Sequence, residues 1–210
     1  HTLSLHDALP ICRLLAGSVS GAGALAVLAL PAAAHALAES PARPAGEAIP
    51  APVSGALPQA RLAGEGRLRW FGLAIYDARL FVPAQGLDPA RYARTPFALE
   101  LQYARTLLGE DIAQASLKEM TRMEFGTPAQ RAGWLAAMRR LFPDVVAGDR
   151  LTGINRTDGQ VQFYRNDTDI GRVEDRLFGE AFFAIWLDPR TQAPDLRRAL
   201  LQRLSTSRPA

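Results

Sequence analysis

Arg67, Arg69 and Tyr76 stand close together within residues 64–82, whose alternating side chains predict two strands separated near Gly72. The two arginines share one face of the first strand, and the tyrosine lies on the second strand. A guanidinium and a phenol beside an apolar sheet can together hold a carboxylate, another anion or an enolate oxygen. The alternative interpretation is that both arginines are solvated strand residues and Tyr76 is a core aromatic.

Tyr103 ends a second alternating pattern, in which Phe97, Leu99 and Leu101 share its face. This pattern predicts a half-buried antiparallel strand. A buried tyrosine hydroxyl needs a hydrogen-bond partner, and a ligand or an arginine is one option. Packing into the core is the alternative role. The candidate ligand-binding residues are therefore Arg67, Arg69, Tyr76 and Tyr103.

Other kinds of catalytic chemistry are limited by where histidine and cysteine occur. The only such residues are His1, His6, His35 and Cys12, all of which precede residue 36. If that region is removed, the remaining domain has no histidine triad, no cysteine nucleophile, no disulfide and no imidazole or thiolate zinc site. We expect neither a cofactor nor a metal, and proton transfer is left to carboxylates, tyrosines, hydroxyls and the single Lys118.

The charge pattern argues against two classes of partner. The net charge is +3, and the basic residues, nearly all arginine, are interleaved with Asp and Glu. A nucleic-acid-binding protein would show a basic stripe, and a peripheral membrane protein would show a polybasic segment. We therefore expect no nucleic-acid partner.

The first 38 residues have the features of a processed leader. Residues 1–11 resemble translated adapter sequence, and we exclude them from fold reasoning. From Arg13 a basic residue, an apolar run and small-x-small sites predict a signal peptide cleaved after Ala36 or Ala38. The mature protein would then be periplasmic or secreted, with no stable membrane anchor. A retained membrane helix is the alternative.

The rest of the chain divides into three parts. Residues 39–58 are rich in Pro, Ala and Gly, which predicts a disordered or extended linker. Residues 59–204 form the predicted folded domain, and residues 205–210 a disordered tail.

Within the domain, strands come first, then a helix pair, a hairpin and two more helices. Thr127, Pro128 and Gln130 provide a capping-box start for the second helix, and Asp158-Gly159 marks the hairpin turn. This order predicts an α+β fold, an antiparallel sheet with helices on one face. The predicted strands are 61–69, 72–82, 97–103, 150–155, 161–164 and 170–173, and the predicted helices 110–124, 128–142, 175–187 and 194–204.

Several of these segments, in this order and spacing, resemble the bacterial secreted chalcone isomerase-like proteins. The resemblance covers about residues 60–204 and implies a curved antiparallel sheet, a helical layer and a ligand cleft between them. Its motifs are the Gly-x-Gly-x-x-Arg start at 64–69, Ile75–Phe81, Leu99-x-Leu101-x-Tyr103, Ser116–Met120, Gly148–Leu151 and Phe183–Leu187.

The resemblance implies a small amphipathic or aromatic ligand as the partner, and two uses of such a cleft. In the isomerases an arginine and hydroxyl groups hold the enolate that develops as a chalcone closes. In binding relatives an arginine and a tyrosine hold a fatty-acid carboxylate, and the chain lies in an apolar tunnel. Tyr76 stands close to the place of the enzymes' catalytic threonine, and Met120, Met123 and Phe125 occupy the neighbourhood of their Tyr–Asn pair.

Three functions follow as hypotheses. The first is a non-catalytic binding protein for an amphipathic molecule such as a fatty acid, with Arg67 or Arg69 and Tyr76 at its polar end. The second is an intramolecular lyase of the chalcone isomerase type, and the third a structural partner in an envelope complex. A long apolar tunnel ending at an Arg–Tyr pair would favour the first, and a short cleft lined by hydroxyls the second. The lack of a cleft, or Arg67 and Arg69 both pointing to solvent, would count against both.

Overall fold

A computed structural model describes residues 48–205 as an antiparallel sheet whose six strands follow their order in the chain. The expected α+β fold is confirmed. The strands are β1 (Arg61–Trp70), β2 (Leu73–Val82), β3 (Phe97–Tyr103), β4 (Arg150–Asn155), β5 (Val161–Arg165) and β6 (Thr168–Val173). The helices are α1 (Ala51–Ala56), α2 (Gly109–Arg122), α3 (Pro128–Leu141), α4 (Arg176–Leu187) and α5 (Pro194–Ser205), with a 3₁₀ turn at Tyr92–Arg94.

Helices α2 to α5 form a layer against one face of the sheet, which we call the inner face. The α4 helix lies deepest, and nine of its residues are buried, among them Phe178 and Phe182. Its first turn is capped by Asp175, whose carboxylate accepts hydrogen bonds from two backbone N–H groups. The predicted capping box of α3, between Thr127 and Gln130, is also present. Burial of these aromatic side chains supplies much of the hydrophobic stabilisation of the domain.

The last helix lies directly on β1 because β1 has glycines at the contact. A Cβ atom built on Gly64 would lie 2.1 Å from the carbonyl oxygen of Ala199, and one on Gly66 would lie 2.8 Å from Leu196. These distances are shorter than side chains tolerate. The two glycines therefore permit close backbone approach between strand and helix.

The opposite, outer face of the sheet is partly covered by residues that precede β1. Val53 and Leu57, in and just after α1, pack with Phe81, Ala98 and Ile154 of the outer face. The expectation of a disordered or extended linker over 39–58 is wrong for these residues: residues 51–56 are helical, and Val53 and Leu57 are buried. Composition suggested a linker, but the few apolar side chains in this segment meet an apolar patch from three distant strands.

Residues 1–47 and 206–210 lie outside the described part of the chain. The predicted leader, its cleavage sites, the first part of the linker and nearly all of the predicted tail fall there and stay predictions. Among residues 48–205, every helix is too short or too polar to cross a bilayer.

Candidate ligand-binding cavity

A small apolar cavity lies between the inner face of the sheet and helices α2 and α4. Its volume is about 50 Å³. Strands β2 to β5, the stretch after β3 and the two helices all contribute to its walls. Its aromatic wall consists of Phe142, Phe163, Phe182, Phe183 and Trp186. Apolar, aromatic walls with a few polar groups are typical of small-molecule sites.

The tyrosines predicted as site residues meet at this cavity. Tyr76 and Tyr103 are opposite each other on β2 and β3, and their ring centroids are 6.0 Å apart, edge to face. Both side chains are buried and line the cavity. The hydroxyl oxygen of Tyr76 accepts a hydrogen bond from Trp186 Nε1 at 3.0 Å. Burial, with a smaller contribution from Tyr76, raises the pKa of Tyr103 far above its usual value, so that this phenol stays protonated at neutral pH.

Arg67 lies on the outer face of the sheet, away from the tyrosines. Arg67 is opposite Asp77 in the β1–β2 register. Asp77 directly follows Tyr76 in β2, so their side chains point to opposite faces of the sheet. Its guanidinium donates to both oxygens of Asp77, at 2.6 and 2.8 Å. The Asp77 hydrogen bonds and charge raise the pKa of Arg67. The expected Arg67–Tyr76 pair is therefore not the arrangement observed, because the two residues face opposite sides of the sheet.

Arg69 is also separated from the cavity. A register shift between Leu68 and Arg69 places the arginine at the exposed end of β1. Its Nη1 donates to the carbonyl oxygen of Gly72 in the β1–β2 turn, at 3.2 Å. The structure therefore brings together Tyr76 and Tyr103 but neither of the two predicted arginines. Both arginines are exposed strand residues, as in the alternative interpretation, and this outcome counts against both small-ligand hypotheses in the form that places an arginine at the site.

Helix α2 contributes polar groups that the sequence reasoning did not identify. Ile112, Ala115, Ser116 and Glu119 recur at helical spacing and line one wall of the cavity. Glu119 is only 3% exposed. Its Oε2 accepts two hydrogen bonds from Arg122, while its Oε1 is buried without a partner in the described part of the chain. The three- and four-residue spacing of these side chains could have identified this wall from the sequence. Two polar residues beside an apolar stripe, however, resemble the solvated edge of a helix.

Met120 and Met123 belong to the core instead. Both are buried, with 0% and 3% exposure, and they pack in the main hydrophobic cluster. Neither lines the cavity.

A wider groove of about 840 Å³ crosses the outer face beside residues 48–51. It contains Arg67, paired with Asp77, and Arg150, whose Nη2 lies 2.7 Å from Asp167. Arg79 also lines it and donates to Glu100. The guanidinium groups of this groove already have carboxylate partners. They therefore depend on a ligand for pairing less than the polar groups of the cavity do. Within residues 48–205, no cluster of Asp or Glu is arranged to hold a metal ion.

The comparisons with known proteins agree with this architecture. The sequence matches the family model described as chalcone isomerase-like over residues 44–202. A Haemophilus influenzae protein, described only as uncharacterized, is 29% identical over 149 residues, which are 70% of each chain. The crystal structure of an Arabidopsis thaliana fatty-acid binding protein superposes with a TM-score of 0.58 at 12% identity, covering 76% of this chain and 98% of the other.

The structural match supports the fold, and the family match covers most of the chain, including every strand, the cavity and nearly all of the helical layer. The resemblance read from the sequence is confirmed: this chain belongs to the chalcone isomerase-like family.

Proposed function

We propose that this protein binds a small amphipathic molecule in the cavity between sheet and helices and releases it unchanged. The observation that carries the proposal is the apolar, aromatic-walled cavity with the Tyr76–Tyr103 pair among its few polar groups. The family match and the fold shared with a fatty-acid binding protein support it.

The cavity must enlarge to admit such a ligand. Its volume of about 50 Å³ has room for a few water molecules. Drug-sized ligands occupy pockets of about 300–1,000 Å³. We therefore expect lining side chains to move on binding, so that affinity depends on how readily an open conformation forms.

An isomerase of the chalcone isomerase type is the second candidate. The cavity is small and is lined by the hydroxyl-bearing residues Tyr76, Tyr103 and Ser116, of which the tyrosines could orient a substrate oxygen. Closure of a chalcone develops negative charge on an enolate oxygen, however, and catalysis requires that this charge be stabilised. No cationic side chain lines the cavity in residues 48–205, and the Glu119 carboxylate does line it. This charge distribution favours binding over enolate chemistry.

Native mass spectrometry of the purified protein tests the proposal. We expect a co-purifying small molecule in the wild type and its loss in Ala115→Leu, which fills the cavity. Arg67→Ala is the matched control, because it breaks an ion pair on the outer face and should leave the ligand bound. Loss in Arg67→Ala with retention in Ala115→Leu would place the ligand in the outer groove. An empty wild type that cyclises a chalcone would favour the isomerase instead.

We also propose that the protein acts outside the cytoplasm. The proposal is supported by the basic residue, apolar run and small-x-small sites of residues 13–38. N-terminal sequencing of the protein from fractionated cells should give a periplasmic or secreted form beginning at Leu37 or Glu39. A full-length chain that stays with the membrane fraction would contradict the proposal.

A further inference from the structure

Glu119 has one carboxylate oxygen with a partner and one without. Arg122 donates to Oε2 from Nη2 at 2.8 Å and from Nε at 3.1 Å. Oε1 is buried and has no hydrogen-bond partner among residues 48–205, and Glu119 is one of the residues that line the cavity. A buried acceptor that remains unpaired destabilises the state that contains it, unless a ligand or a water molecule donates to it. This oxygen is therefore a group that a ligand can satisfy.

The neighbouring polar group is also an acceptor. Ser116 lies one turn before Glu119 on the same wall of the cavity. Its hydroxyl hydrogen is used in a hydrogen bond of 2.8 Å to the carbonyl oxygen of Ile112. The lone pairs of its oxygen are the part left for a ligand. Ser116 and Glu119 therefore offer a ligand hydrogen-bond acceptors and no donor.

From this wall we propose that Glu119, with Ser116, recognises a neutral hydrogen-bond donor, a hydroxyl group, on the apolar ligand of the cavity. The inference rests on the proposed function, since it concerns the ligand of the same cavity. It places the ligand in the class of long-chain or aromatic alcohols rather than fatty acids.

Charge explains the preference for a neutral head group. A fatty-acid carboxylate would place a second anion beside Glu119 in a poorly solvated site. An ammonium group would have to leave water to approach a carboxylate that Arg122 already neutralises. A hydroxyl donates one hydrogen to Oε1 without bringing a charge.

Arg105 is the residue that could reverse this preference. It follows Tyr103 by two positions and is half-buried, and its Nη1 is buried with no hydrogen-bond partner from the residues that the structure describes. It does not line the cavity. A carboxylate ligand that reached this guanidinium would bind by charge pairing, so the test includes Arg105→Gln.

Titration calorimetry with 1-octanol, octanoate and octylamine tests the head group at constant chain length. We expect the wild type to bind octanol at least about tenfold more tightly than octanoate or octylamine, since binding an alcohol satisfies a buried acceptor. In Glu119→Gln, Arg122 retains the amide oxygen and the NH₂ group takes the position of Oε1. The preference should then fall to about one or invert towards octanoate.

Glu110→Gln is the matched control on the same helix. Glu110 is exposed and paired with Arg139, so its substitution removes an ion pair without changing the cavity, and octanol selectivity should stay. The wild-type comparison decides the matter even if Glu119→Gln does not fold.

The outcomes separate the two proposals. If the wild type binds octanoate more tightly than octanol, and Arg105→Gln abolishes octanoate binding, the head-group inference is overturned and the binding function is left intact. Tightest binding of octylamine, or selectivity unchanged in a folded Glu119→Gln, would also overturn the inference. Failure of all three probes to bind would count against the binding function itself.

Discussion

Asp149 stabilises the end of the strand that carries Tyr103. Its carbonyl oxygen accepts a hydrogen bond from the Tyr103 backbone N–H at 2.8 Å. Its carboxylate accepts from the Asn166 side chain, the Val146 backbone N–H and Arg165, at 2.7 to 3.0 Å. These three donors, the Asn166 amide foremost, lower the pKa of Asp149 to about 2. A single turn residue thus connects the loops at this end of the sheet with the cavity tyrosine.

Asp149→Asn should lower the free energy of unfolding by about 2 kcal/mol at pH 7, which is less than the roughly 2.6 kcal/mol equivalent to the pKa difference because solvent screens part of the interaction. The folded-state pKa is below the unfolded value of about 3.9, so the stabilisation is complete above that value. It is lost as the pH falls towards 2. Urea unfolding of both proteins at several pH values measures the difference.

Asp195→Asn is the control for this series. Asp195 is exposed and paired only with Arg198 in the described structure, so the change should be under about 0.5 kcal/mol. An Asp149→Asn effect of equal size at pH 7 and pH 2.5 would show that the carboxylate charge is not the stabilising feature.

At the scale of elements, β1 is joined to its neighbours by two features that depend on the backbone rather than on the hydrophobic pattern. One is the two-residue turn to β2, in which Phe71 has φ +45° and Gly72 has φ +80°. The other is the contact of Gly64 and Gly66 with α5. In both, the residue type at one position decides whether the element can form without strain.

Phe71→Asn should increase stability by about 0.5–1 kcal/mol, because Asn tolerates positive φ and Asn-Gly suits a turn with two positive φ values. Phe71 is 82% exposed, so little burial is lost beyond its edge contact with Trp70. Thermal unfolding measures the change. Phe71→Ala removes the same ring while keeping a residue that disfavours positive φ, so it should be less stable than Phe71→Asn. Equal stability of the two variants would refute the argument from φ.

Gly64→Ala should lower the free energy of unfolding by about 1–3 kcal/mol, because the added methyl group meets the backbone of α5. Gly133→Ala is the matched change in an exposed position of α3, where a Cβ meets no atom within 4 Å. There we expect stabilisation of about 0.5–1 kcal/mol. Chemical denaturation of both variants measures the contrast, and a Gly64→Ala protein as stable as the wild type would mean that α5 shifts without cost.

In the molecule as a whole, the sheet is covered on both faces, by the helical layer inside and by α1 with Leu57 outside. The outer contact joins a segment that precedes β1 to β2, β3 and β4. Contacts between such distant parts of a chain depend on the assembled sheet, and composition does not reveal them.

Leu57→Ala should lower the free energy of unfolding by about 2–4 kcal/mol, since Leu57 is 3% exposed and its removal leaves a cavity against Phe81. A residue in a disordered linker would show no effect. Ser54→Ala, on the exposed side of α1, is the control and should change stability by less than about 0.5 kcal/mol. Equilibrium denaturation of both variants distinguishes a packed segment from a linker.

The sequence by itself determined most of the elements and the class of fold, because periodicity, caps and turn residues act over a few neighbouring positions. Strands near 73–82 and 97–103, the capping box at Thr127 and the α+β order are all visible there, whereas α1 is not. Alternation also placed Tyr103 on the inward face of its strand, and Tyr76 was named as a candidate without a face.

The tertiary structure alone decided which groups meet. Arg67 is nine positions from Tyr76 yet faces the other side of the sheet, because it is opposite Asp77, the residue after that tyrosine, in the β1–β2 register. Glu119 lines the cavity only because α2 packs across the inner face. Register and packing arise from contacts between distant segments, and local sequence does not specify which side chains those contacts bring together.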